Sequence, residues 1–168
     1  MEFRGRIADS AAAKVILEQN GAKKTSDYQF EDRIYFLPGK TSLEEGFVRI
    51  RSPSPEMNDK RFRVVKKVMH AGELMEMYRS FFPDLTAAKQ ALQGHWLACI
   101  LARKGSAYQI GNGKIFLEEI EEFGPAVEAE FQSEKDGREW LEKIHATEIS
   151  PNPLPLRFML HQNGKKKT

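Results

Sequence analysis

Along much of this chain apolar and polar residues alternate one for one, the period at which successive side chains of a β-strand fall on opposite faces. Glu2 to Ala8 puts Glu2, Arg4 and Arg6 on one face and Phe3, Gly5 and Ile7 on the other. Gly46 to Arg51 sets Arg49 and Arg51 against Val48 and Ile50, and Lys60 to Val68 sets Arg61, Arg63 and Lys67 against Phe62, Val64 and Val68. Tyr28 to Leu37, Glu73 to Phe82 and Ala98 to Ile110 read as further strands, the last weakened at Lys104-Gly105-Ser106. Asn112-Gly113 suits a tight hairpin with positive φ at both central positions. A strand, a kink at Gly124-Pro125 and a second strand follow. Phe116, Glu118 and Ile120 share one face there, and Glu128 and Glu130 lie opposite Val127, Ala129 and Phe131.

Three stretches change to the helical period. Asp9 or Ser10 caps a helix with Ala12, Val15 and Ile16 on one side, ended by Gly21. Pro83-Asp84 opens a second, with Leu85, Ala88 and Leu92 aligned and Gly94 closing it. Ser133 and Asp136 begin a third that buries Trp140, Leu141 and Ile144. Ser52 to Asp59 reads as a loop, Ser150 to Pro155 as extended chain, and Lys165 to Lys167 as a frayed end. Trp96 and Trp140 read as core, and Cys99 as a small buried hydrophobe. The sum is about eight strands and three helices in one domain over 1–168, with its core at about 2–149 and a C-terminal extension at 150–168.

A net charge of +2 argues against a general nucleic-acid binder, and one cysteine excludes an intramolecular disulfide and fits a reducing compartment. No apolar run is long enough to span a membrane, so a soluble, cytoplasmic protein is expected. His70, His95, His145 and His161 lack metal-like spacing. The charges, however, are sorted by sign. Arg49, Arg51, Arg61, Arg63 and Lys67 lie on the middle strands, and Glu118, Glu128 and Glu130 on the late ones. A face kept only for solubility has no reason to be sorted so. Closing the strands into a barrel, helices outside, would set basic and acidic faces across a common lumen, which is costly unless a polyanion and its metal ions fill it.

The order of the pieces resembles the CYTH superfamily of class IV adenylyl cyclases, thiamine triphosphatases and inorganic triphosphatases. The pieces are Glu2 to Arg6, Gly46 to Arg51 as an R-x-R strand, Arg63 to Lys67 as R-x-x-x-K, LEEIEEFG from Leu117 to Gly124, and VEAE from Val127 to Glu130. The resemblance implies an α+β fold, an eight-stranded antiparallel β-barrel that takes a triphosphate end-on, with helices packed outside. It implies phosphate contacts from Arg49, Arg51, Arg61, Arg63 and Lys67, Mg2+ or Mn2+ ligands at Glu2, Glu118, Glu128 and Glu130, and catalytic cations at Arg6 and Arg103. ATP, thiamine triphosphate and tripolyphosphate all fit as ligands, with no membrane or nucleic-acid partner. Two departures stand out. The family's E-x-E-x-K reads Glu2-Phe3-Arg4-Gly5-Arg6 here, so Arg4 brings a cation where a metal ligand is expected. It either pairs with Glu128 or Glu130, or reaches the phosphates as a phosphate-binding group. The family's K-x-R-x-x-Y reads Arg103 to Tyr108, with Gly105 in place of the arginine and Lys104 on the other face unless a bulge turns it. Both a metal-dependent triphosphate enzyme and a non-catalytic binding module with a degenerate metal site remain open on this reading.

Overall fold

The computed structural model describes residues 1–54, 60–71 and 73–165. Most of the expected 52–59 loop, Gly72 of the His70–Gly72 turn, and Lys166 and Lys167 lie outside the described residues. The elements run β1 (Glu2–Arg6), α1 (Ser10–Gln19), β2 (Lys23–Phe36), β3 (Gly46–Arg51), β4 (Phe62–His70), β5 (Glu73–Phe82) and α2 (Leu85–Gln90). Then follow β6 (Leu97–Ile110), β7 (Gly113–Ile120), β8 (Gly124–Glu130), α3 (Glu134–Lys143), β9 (Thr147–Ser150) and α4 (Leu154–Lys165).

The chain divides into two units, Met1–Gln29 with Arg103–Leu154, and Phe30–Ala102 with Pro155–Thr168. The long strands β2 and β6, 14 residues each, contribute to both. In the first unit the strand order is β2-β6-β7-β8-β1-β9, and in the second it is β5-β4-β3-β2-β6. The β6–β7, β7–β8, β8–β1, β1–β9, β2–β3, β3–β4 and β4–β5 ladders are all antiparallel. In neither unit do the outer strands pair with each other among the described residues. Each sheet is therefore open, not the closed eight-stranded barrel expected, and β9 makes a ninth strand. The outer strands are of the kind that ends a sheet: β9 is four residues long with a register shift on β1, and β5 meets a bulge at Lys66/Lys67.

In the first unit the alternation of β1, β7 and β8 sends Phe3, Ile115, Leu117, Val127, Ala129 and Phe131 to one face. There they meet Ala13 and Leu17 of α1 and Leu141 of α3. In the second unit Val48, Ile50, Val64 and Tyr35 pack against Ala88 of α2 and the following Leu92. The apolar faces thus lie under helices, as the pattern predicts.

Several expectations are corrected. Asp9, not Ser10, caps α1 by accepting from the Ala11 and Ala12 amides. This phasing turns Ala13, Ile16 and Leu17 inward and leaves Val15 at 50% exposure. The β6–β7 hairpin turns on Gly111-Asn112, with positive φ (53°) at Gly111, while Gly113 is already strand, paired with Ile110. Gly113 is required for a different reason: a Cβ there would lie 2.2 Å from the Phe131 ring. β6 runs unbroken through Lys104-Gly105-Ser106 because its register on β7 never shifts. Trp96 is 78% exposed, standing just before β6 where its carbonyl accepts from the Phe36 amide at 2.9 Å. The stretch after Ser150 is not simply extended. α4 begins at Leu154, and Pro155 sits in its first turn, where an amide N–H has no intrahelical partner to lose.

Candidate functional site

In the first unit the β1–β8 register sets Glu2 opposite Glu130 and Arg4 opposite Glu128. With a period of two, all four side chains share the face opposite Phe3 and Ala129. Oxygens of Glu2, Glu128 and Glu130 come within 4.8 Å of one another. Into this cluster Arg4 projects, its Nη2 donating to Glu2 Oε2 at 2.5 Å and its Nε to Glu128 Oε2 at 3.0 Å. Burial works against the Arg4 charge, but the Glu128 and Glu2 carboxylates outweigh it, so its pKa lies above the ordinary value. Glu130 is pushed the other way for an acid, up to about 7, by burial first and then by the negative charges of Glu128 and Glu2.

Glu118, expected beside them as a metal ligand, is only 3% exposed. Its Oε1 accepts from Arg103 Nη2 at 2.6 Å and from the Tyr28 hydroxyl at 2.6 Å. Arg103 Nη2 also lies 3.8 Å from Glu128 Oε2. The Tyr28 ring meets Phe116 edge-on, with centroids 6.2 Å apart. Burial and the adjacent Glu118 charge hold the Tyr28 phenol above its usual pKa, so it stays a donor. Gly105 explains itself here. A Cβ at 105 would sit 2.3 Å from the Leu117 carbonyl and 3.0 Å from the Tyr28 hydroxyl. Lys104, with no bulge to turn it, is exposed and paired in register with Glu119. Arg6, the other expected catalytic cation, donates from Nη2 to the Phe123 carbonyl at 2.6 Å and lies over the Phe123 ring at 4.6 Å.

The second unit carries the basic face. The β3–β4 register sets Arg51 opposite Arg63, Arg49 opposite Val65 and Phe47 opposite Lys67, so Arg49, Arg51, Arg63 and Lys67 share the face turned away from α2. Asp32 of β2, opposite Arg51 and only 1% exposed, anchors them. Arg51 grips it through both a 2.7 Å Nε–Oδ1 and a 2.7 Å Nη2–Oδ2 bond, and stacks over Phe30 at 3.8 Å. Arg49 Nε lies 3.9 Å from the same carboxylate. Arg61 precedes β4, exposed, over the Phe81 ring at 4.6 Å. Glu76 is held below the usual carboxylate range by its bond from Arg79. Cys99 is no nucleophile: burial, with the Asp32 charge, pushes its thiol up to about 12.

Asp32 and Tyr28 did not stand out in the sequence. The signal was there, since Tyr28, Phe30, Asp32 and Ile34 all fall on one face of β2 and all are buried. An acid in an otherwise apolar row needs a counter-charge.

A divalent ion fits the acidic cluster poorly as it is built. The spacing of Glu2, Glu128 and Glu130 suits oxygen ligation. Yet two of those carboxylates are already engaged by the Arg4 guanidinium, and Glu118 by Arg103 and Tyr28.

No protein-family model matches the chain, and no curated protein matches it. Solved structures do share its fold. A protein of Pyrococcus horikoshii aligns with a TM-score of 0.74 at 16% identity, over 98% of each chain. A proposed adenylate cyclase from Vibrio parahaemolyticus aligns at 0.70 and 15% identity, covering 95% of this chain and 96% of that one. A proposed adenylyl cyclase from Hippeastrum with a dominant triphosphatase activity aligns at 0.61 and 11% identity, over 98% and 96%. The class is thus α+β, mostly antiparallel sheet with helices, a fold shared with these solved structures. Among the described residues no helix is long and apolar enough to cross a membrane.

Proposed function

We propose that this chain binds a triphosphate-containing ligand through Arg49, Arg51, Arg63 and Lys67. One observation carries the reading: four cations, Arg49, Arg51, Arg63 and Lys67, are gathered by register on one sheet face, with Asp32 bonded to Arg51 and Glu76 opposite Lys67 as acids there. Guanidinium forks match phosphate oxygens, and a face of like charges gains stability when an anion enters. ATP, thiamine triphosphate and tripolyphosphate are all candidates. The Hippeastrum protein's triphosphatase activity and the cyclase descriptions of the others favour a second reading, in which the triphosphate is also hydrolysed or ATP cyclised, with Arg6 and Arg103 as the catalytic cations.

The test is a melting series with the three ligands, with and without Mg2+ or Mn2+. Ligand at a hundred times its Kd stabilises a folded protein by about 2.7 kcal/mol. For a chain of this size that raises Tm by about 5–10 °C. The rise should disappear in the Arg49→Ala/Arg51→Ala double variant. Absence of any shift with millimolar tripolyphosphate would end the binding reading. Release of phosphate or pyrophosphate would separate processing from binding alone.

A further inference from the structure

The carboxylates that would hold a divalent ion are not waiting for one. Glu2 and Glu128 each have an oxygen committed to the same guanidinium, at 2.5 and 3.0 Å, and that guanidinium is largely buried, with 12% of its side chain exposed. Arginine keeps its proton throughout the accessible pH range, so its charge cannot be withdrawn to admit an ion. Nor can the guanidinium stay where it is and share the site, since a divalent ion among these oxygens would stand within a few ångströms of it. Arg4 arrives here by register alone, as the cross-strand neighbour of Glu128 on the ladder that also pairs Glu2 with Glu130.

We propose that Arg4 is a tethered cation occupying the place of a divalent ion between Glu2 and Glu128, so that this chain excludes Mg2+ and Mn2+ from its acidic cluster. The chain has in effect exchanged a dissociable cofactor for a side chain. The positive charge that neutralises Glu2 and Glu128 is always present, whatever the metal supply. What is lost is the open coordination position through which a metal ion polarises a ligand or orients a water. The inference concerns the acidic cluster alone and stands whether or not the arginines of the second unit bind a triphosphate.

The test is a titration of the full chain with MnCl2, reading free Mn2+ by its electron paramagnetic resonance signal. The unmodified protein should leave that signal as it is in buffer up to about millimolar Mn2+, and Arg4→Lys, which keeps the charge, should do the same. Arg4→Ala should take up one Mn2+ at least about a hundredfold more tightly, because one repulsive charge at contact range is removed. Adding Glu128→Gln to that variant should abolish the uptake. Should Arg4→Ala melt below the assay temperature, recovery of its circular dichroism by Mn2+ counts for the proposal. Arg4→Gln, still able to donate to Glu128 but uncharged, then takes its place in the titration. One Mn2+ bound at micromolar concentration by the unmodified chain and lost in Glu128→Gln would overturn the proposal. So would a folded Arg4→Ala that binds Mn2+ no better than its parent.

Discussion

Replacing Asp32 by asparagine changes almost no volume and removes a buried acid from the basic face. The wild-type carboxylate takes two 2.7 Å bonds from Arg51 and lies 3.9 Å from Arg49 Nε, with 1% of its surface exposed. Asparagine can accept one of those bonds, but its amide group then faces an N–H with no acceptor to offer. One charge-assisted bond is lost, at about 1.5–3 kcal/mol. The negative charge that faces Arg51 and Arg49 is also removed, and disrupting a buried pair from one side costs about 3–5 kcal/mol in all. The Phe30 ring, 3.8 Å from the Arg51 guanidinium, continues to stabilise it and favours the lower figure. A loss of about 3 kcal/mol corresponds to a fall of about 6–12 °C in Tm for a chain this long. Melting followed by circular dichroism measures it directly. In millimolar tripolyphosphate the two proteins should converge, because the added anion supplies the charge that Asp32 did, and the ligand-induced rise should be larger in the variant. A Tm within about 2 °C of the parent would mean that Asp32 does not balance the arginines. A large fall with an unchanged ligand-induced rise would mean that the anion does not enter this face.

Two further predictions concern the acidic cluster. Tyr28→Phe removes a 2.6 Å donor from the buried Glu118, and the urea midpoint should fall by the equivalent of about 1–3 kcal/mol; an unchanged midpoint would mean that the hydroxyl contributes nothing. Glu130 binds its proton more tightly when folded, up to about 7, than in the unfolded chain, where its pKa is about 4.3. Its contribution is therefore fully present below the lower value and lost as pH rises through the higher. Stability should decline between about pH 5 and 7, and Glu130→Gln should flatten that part of the profile. The lowered pKa values of Glu76 and Asp27 act only at more acidic pH and leave the window clear. Identical pH profiles for parent and variant would refute the assignment.

Alternation alone carried the architecture. Period-two patterns located β1, β3 and β4 and identified their charged faces, because a strand with one buried face must alternate. The sign of each face was legible from its residues, and the resemblance to a known family added what those faces are expected to hold. What the pattern could not carry was anything decided by contact across the sheet. Glu118 and Glu128 look equivalent in sequence, yet one is sealed by Arg103 and Tyr28 while the other faces Arg4. Trp96 looks like core by residue type, but stands just before β6 and is exposed. Closure was also out of reach, since it depends on how the last strands end. β9 is too short, and too close to the prolines after it, for its pattern to register. Arg4 was legible only as an alternative; its pairing with Glu128 was one expected outcome, and its bond to Glu2 comes from geometry alone.

The crowding around Gly105 bears on how this sequence can change. A side chain at 105 meets the Leu117 carbonyl and the Tyr28 hydroxyl together. Arginine cannot be placed there by one substitution, because the backbone of β7 and the phenol of β2 both stand in its way. Tyr28, conversely, holds its position only while 105 has no side chain. Each residue thus sets the fitness of changes at the other, although 77 positions separate them in the chain. A smaller residue at 28 would remove only part of that crowding, since the Leu117 carbonyl belongs to the backbone, and it would take a donor from the buried Glu118.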